Sequence, residues 1–140
     1  MLELIAKLEA AHRAYRAERE ETEDSLYDRH QPLIDAAEDE LYAAARAEGL
    51  SGIIENVTFK TPGDLWNSAR YPNLSGRVVF DFKGRFHSSE TISTSRLVKV
   101  YTENGRTFAK TAFSLYELVG FAPTAEEIPE DFRYAFEAIS

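Results

Sequence analysis

The feature that most constrains this chain is a change of hydrophobic period at Gly49–Gly52. Upstream, Leu4/Ile5, Leu8, Ala11/His12, Tyr15, Thr22, Leu26, Leu33, Ala37, Leu41 and Ala44 recur every three or four residues, the stripe of an amphipathic helix. Downstream, apolar and polar residues alternate, the period of a half-buried strand. A chain with both patterns in separate blocks must segregate helix from sheet. The expected class is therefore α+β: an N-terminal helical arm or hairpin, an antiparallel β-sheet of about five strands, and a short C-terminal helix. The divisions fall at residues 1–48, 49–120 and 121–140, and 140 residues suit one compact unit.

Within the arm, the stripe weakens between Arg16 and Asp24, and Pro32 interrupts it by removing a backbone donor. Two antiparallel helices meeting near Asp24–Pro32 satisfy this, with Pro32 in the first turn of the second; one long kinked helix is the alternative. The stripe is narrow and rich in alanine, which suits helix pairing. The arm is accordingly the expected route to a homo-oligomer.

Strands are expected at Ile53–Phe59, at Arg77–Lys83 with Val78, Phe80 and Phe82 on one face, at Leu97–Thr102 with Thr91–Arg96 leading into it, at Arg106–Thr111 and at Ser114–Val119. Loop chemistry occupies Thr61–Asp64 and Tyr71–Asn73, with Leu65-Trp66 between. Gly84-Arg85-Phe86 reads as a turn or bulge. Asn104-Gly105 is a type I′ hairpin signal, because that turn needs positive φ twice. In the tail, Thr124–Glu127 matches a capping box, and Ile128, Phe132, Phe136 and Ile139 share a helical face that should pack on the sheet.

Several chemistries are disfavoured. The chain has no cysteine, and His12, His30 and His87 stand at no ligand spacing, so no metal and no cofactor are expected. There is no G-x-S-x-G elbow, and His87-Ser88 on a strand would point to opposite faces. Asp81 and Glu90 are two of only six acidic residues in 49–120, a poor supply of paired carboxylates, and no enzyme is expected. Neither a P-loop nor a G-x-G-x-x-G occurs. The opening residues interleave charge with leucine, and no apolar run approaches the roughly 20 residues of a membrane span. The expected setting is cytoplasmic, in a bacterial host cell, with no membrane partner.

The net charge of −8 is unevenly spread. Residues 1–48 carry 13 acidic and 6 basic side chains, residues 49–120 carry 6 and 9, and residues 121–140 carry 5 and 1. A basic island of +3 favours a small anionic ligand, while its acidic flanks oppose direct nucleic-acid binding. In that island Arg85, Phe86, Thr94, Ser95 and Arg96 make a candidate anion or nucleotide pocket: arginines fork onto phosphate, hydroxyls orient it, and a phenyl ring stacks on a base. Ser114 and Tyr116 complete the wall if the last strand lies alongside. The plainer alternative is solvated arginines and edge-strand hydroxyls. A different function follows if Glu18, Glu20, Glu21, Glu23, Asp24, Asp28, Asp35, Glu38, Asp39 and Glu40 imitate phosphates: an acidic inhibitor of a nucleic-acid-binding defence complex, of the anti-CRISPR kind. Arg13, Arg16, Arg19 and Arg29 interlace that run, as on a solvated helix face. A structural phage protein is the third reading.

The segment Gly84-Arg-Phe86, Thr91-Ile-Ser-Thr-Ser95, Lys110-Thr111 and Ser114-Leu-Tyr-Glu-Leu118 resembles small β-domain proteins of phages and prophages. It looks most like the Thoeris anti-defence sponges. The likeness covers Gly84–Leu118, with Ser89-Glu90 where Asp-Gly is usual and Phe113 where Asn often precedes the serine. The resemblance implies an oligomeric, non-enzymatic protein that sequesters a cyclic nucleotide signal.

Overall fold

The computed structural model describes the backbone of residues 1–18, 23–62 and 70–136, and their side chains outside 18–29. Thr22, Leu26, Leu65-Trp66, Ile139 and the acidic run from Glu18 to Asp28 lie outside the described side chains. The chain forms two compact units, Met1–Gly49 and Leu50–Ser140.

The first unit is a pair of helices, α1 (Leu2–Glu18) and α2 (Glu23–Glu48). They run antiparallel: Lys7 Nζ lies 2.7 Å from Glu40 Oε2, and the Tyr15 and His30 rings meet edge-on at 5.9 Å. Ile5 and Leu8 of α1, with His30, Ile34, Ala37, Leu41 and Ala45 of α2, are the buried positions. The expected stripe differs on α2, since Leu33 is exposed and Ala45 rather than Ala44 is fully buried. The seam follows the spacing that faces α1, which displaces Leu33 by one residue from the buried line. Pro32 sits inside α2 instead of in its first turn. It costs one intrahelical hydrogen bond there, and α2 continues on both sides of it.

The second unit is a six-stranded sheet: β1 (Gly52–Lys60), β2 (Asn73–Asp81), β3 (Thr91–Ser93), β4 (Leu97–Glu103), β5 (Arg106–Thr111) and β6 (Leu115–Val119), in the order β3-β2-β1-β6-β5-β4. The pairings are antiparallel except β1–β6, which is parallel. The segment Thr91–Arg96, expected to lead into the strand Leu97–Thr102, holds a strand of its own, β3, on the edge opposite β4. The two strands part at Thr94, whose hydroxyl accepts from Leu74 N–H (3.0 Å) and donates to Ser95 O (2.9 Å). Only three residues join those two edge strands, a span of at most about 14 Å between Ser93 and Leu97. A flat sheet would hold them about 24 Å apart at about 4.8 Å per strand. The sheet therefore curls until its ends meet, and Thr94 N–H to Leu74 O (2.8 Å), Leu97 N–H to Pro72 O (3.0 Å) and Ala112 N–H to Arg96 O (2.9 Å) fasten the closure.

The concave face holds the core. Ile54, Leu74, Val78, Leu97, Val100, Ala109, Tyr116 and Leu118 pack there with Phe132, Ala135 and Phe136. The last three belong to a 3₁₀ turn (Glu130–Phe132) and the short helix α3 (Arg133–Phe136), so the tail packs on the sheet through Phe132 and Phe136, with Ile128 beside them. Phe59 anchors this contact, its ring 4.8 Å from that of Phe132. No helix among the described residues is long and apolar enough to cross a membrane.

Candidate functional site

A β-bulge aims the site. Between β1 and β2 the register passes from Ile53↔Phe80 to Ile54↔Val78, so β2 carries one extra residue, Val79. The extra residue reverses the side-chain alternation beyond it. Phe80 thus stands opposite Ile53, away from the face that Val78 shares with Ile54, and it pairs with Phe82 at 5.0 Å; the expected common face for Val78 and Phe80 is broken. Asp81 is turned onto the concave face opposite Gly52. Register then lines up one residue per strand across the sheet: Asp81, Gly52, Tyr116, Ala109 and Val100.

Gly52 makes this row work. A Cβ there would lie 3.1 Å from Phe80 O and 3.3 Å from the Tyr116 ring, so only glycine lets that ring lie over β1. The Tyr116 hydroxyl then reaches towards the turn that follows β2. In that turn Gly84 adopts φ 67°, a left-handed conformation glycine takes freely, and the next two N–H groups point back at Asp81. The Asp81 carboxylate accepts from Arg85 N–H, from Phe86 N–H at 3.0 Å and from Arg85 Nη2 at 3.0 Å. Successive backbone N–H groups in such a turn form an anion nest. Here the chain's own carboxylate fills it.

Arg85 is the hub. Besides Asp81, its guanidinium donates to Ser114 Oγ (3.2 Å) and to Tyr116 Oη (3.2 Å), and it lies over the Phe86 ring, 5.1 Å from the centroid. Those are three of the five N–H bonds an arginine offers. Its side chain remains one-third exposed, whereas that of Asp81 is 2% exposed. Burial opposes the Asp81 charge, but the Arg85 side-chain bond and the two backbone N–H bonds outweigh it and hold the carboxyl below its usual value. Burial likewise opposes the Arg85 charge, and Asp81 and Tyr116 together more than offset it, so the guanidinium pKa is raised.

The β5–β6 turn is tied to the same place. Lys83 Nζ donates to Phe113 O at 3.1 Å, so two cations two residues apart grip two consecutive residues, Phe113 and Ser114. Thr111 closes the turn: its N–H donates to Ser114 O (2.8 Å), and its hydroxyl accepts from Ser114 N–H (3.0 Å) and from Ser95 Oγ (2.9 Å).

Of the residues singled out in the sequence, Arg85, Phe86, Ser114 and Tyr116 come together directly. Ser95 joins them only through Thr111. Thr94 is buried, and its hydroxyl is committed to the closure of the sheet. Arg96 meets the β5–β6 turn through its backbone, its carbonyl accepting from Ala112 N–H (2.9 Å), and its positive charge only partly opposes the rise that burial gives the Tyr134 pKa. Four participants lie outside the set expected from sequence: Asp81, Lys83, Gly52 and Thr111. The spacing Asp81-x-x-Gly84-Arg85 carries the signal for the first, a carboxylate placed to cap a glycine turn. Gly52 has no local signal, because its role depends on a strand that follows much later in the chain.

Elsewhere in this unit, a cleft of about 700 Å³ is lined by Val100, Thr102, Thr107, Phe121, Ile128 and Phe136, among others. It lies towards the β4–β5 hairpin end of β5, opposite to the Arg85 end, and shares no residue with that group. Among the described residues no cluster of three His, Asp or Glu could hold a metal ion. Compared with known families, curated proteins and solved structures, the chain matches none.

Proposed function

We propose that this protein binds and sequesters a small anionic ligand without transforming it, at the junction of the β2–β3 and β5–β6 turns. The observation that carries this reading is the state of Arg85: a partly exposed guanidinium fixed in place by Asp81, Ser114 and Tyr116, with donors to spare and Lys83 beside it. An arginine held this way loses little ordering entropy on meeting an anion. Asp81 neutralises part of the charge, which favours a ligand that reaches both cations over a simple ion. A cyclic nucleotide is the ligand class that the resemblance to Thoeris anti-defence sponges implies. Assembly through α1 and α2 belongs to the same proposal.

Native mass spectrometry of the protein purified from cells making cyclic nucleotide signals, before and after heating, tests this. The expected result is a multimer carrying a nucleotide-sized adduct that heating releases. An apo species that also ignores added cyclic nucleotides would overturn the proposal. It would turn attention to the acidic surface of α2, where Asp35, Glu38, Asp39 and Glu40 are exposed.

A further inference from the structure

Phe113 is 80% exposed, more than any other large apolar side chain among the described residues. A lone exposed apolar residue is ordinary. What sets this one apart is its mount. Thr111 N–H to Ser114 O (2.8 Å) and Ser114 N–H to Thr111 Oγ1 (3.0 Å) close the turn beneath it, and Ala112 N–H is held by Arg96 O (2.9 Å). Lys83 holds the carbonyl of Phe113 itself, and Arg85 holds the next side chain. The ring is presented to solvent by a turn fastened from both sides, next to an ammonium and a guanidinium. Phe86, the ring that the sequence suggested for stacking, is packed against the core and already carries the Arg85 guanidinium on its face.

We infer that Phe113 is a stacking platform, so that the ligand is a planar aromatic ring joined to a phosphate, as in a nucleotide. This inference rests on the anion-binding reading and adds the second half of the ligand to it. The chemistry is that of single-stranded nucleotide recognition, in which a phenyl ring takes the flat face of any base while cations take the phosphate. Such a site prefers purines to pyrimidines by stacking area and holds a bare sugar phosphate least.

The test is calorimetric titration with 3′,5′-cyclic AMP and with ribose 5-phosphate, using wild type, Phe113→Ala and Phe113→Tyr. The expected result is that the cyclic nucleotide binds about tenfold tighter than the sugar phosphate, equivalent to about 1.4 kcal/mol. Phe113→Ala should erase that preference and Phe113→Tyr should keep it, with unchanged melting temperatures because the ring is exposed. Equal binding of both probes, unaffected by Phe113→Ala, would overturn the platform while leaving the anion site standing. Binding of neither probe by wild type would remove both. Light scattering on the same variants gives a further outcome: if Phe113→Ala converts a multimer to monomer, the ring serves a contact with a second copy, and the platform is overturned.

Discussion

Replacing Asp81 with asparagine keeps the shape of the turn and removes its charge. The carboxylate receives two backbone N–H groups and the Arg85 guanidinium. An asparagine side chain would keep one carbonyl oxygen for the backbone donors, but its amide would face the guanidinium donor to donor. Hydrogen bonds to charged groups contribute about 1.5–3 kcal/mol each. Because the Arg85 side chain is 33% exposed, water recovers part of the loss and the lower end applies to its bond. With weakened backbone bonds added, Asp81→Asn should cost about 2–3 kcal/mol at pH 7. For a unit the size of Leu50–Ser140 that is a fall in Tm of about 10–20 °C. The pH dependence gives the sign. A carboxyl whose folded pKa lies below its unfolded value of about 3.9 stabilises the fold above that value and ceases to as pH falls through the folded one. Unfolding followed by circular dichroism at pH 7 and near pH 2 should therefore show a gap between wild type and variant that narrows in acid. A gap of equal size at both pH values would refute the electrostatic account, and so would a variant as stable as wild type at pH 7.

Arg85→Ala should weaken binding of a phosphate-bearing ligand at least tenfold in titration, while Arg96→Ala, which keeps the backbone carbonyl that Arg96 gives the β5–β6 turn, should change it less than twofold. Gly52→Ala forces a Cβ to within 3.1 Å of Phe80 O and 3.3 Å of the Tyr116 ring. It should cost about 1–3 kcal/mol in denaturant unfolding and shift the Tyr116 ring resonances. At the β4–β5 hairpin Asn104 and Gly105 have φ of 52° and 76°, so Gly105→Ala should destabilise by about 1 kcal/mol in the same assay without touching ligand affinity.

The parts legible in the sequence are those encoded by neighbours. Asn104-Gly105 announced its hairpin, alternation located β1, β5 and β6, and the spacing of Phe132 and Phe136 found the tail's buried face. The parts that stayed hidden depend on partners far away. Nothing near Thr94 says that its hydroxyl will serve Leu74, so the break that makes six strands from five expected ones was invisible, and Thr94 and Ser95 looked like ligand groups. The bulge at Val79 exists only as a mismatch between two strands, yet it decides that Asp81 faces inward. Strand pattern also says nothing about which strand lies beside which, so the parallel contact of β1 with β6 was not foreseen. On α2, periods of three and four fit Leu33 nearly as well as Ile34, and only the presence of α1 chooses between them.

The parallel pair has a consequence for how the chain is made. Gly52–Glu55 finds its neighbour only when Tyr116–Val119 exists, roughly sixty residues later. At about 5–20 residues per second of synthesis, the interval is about 3–13 s. During it, the nascent β1–β2–β3 meander presents a bare edge along β1 and an unfilled apolar face, the arrangement most open to pairing with another chain. The strand at the centre of the finished sheet spends its first seconds as an edge. Since Tyr116 and the β5–β6 turn arrive with the same late segment, the groups around Arg85 assemble in the step that protects that edge, and a chain stalled before Ser114 would have neither.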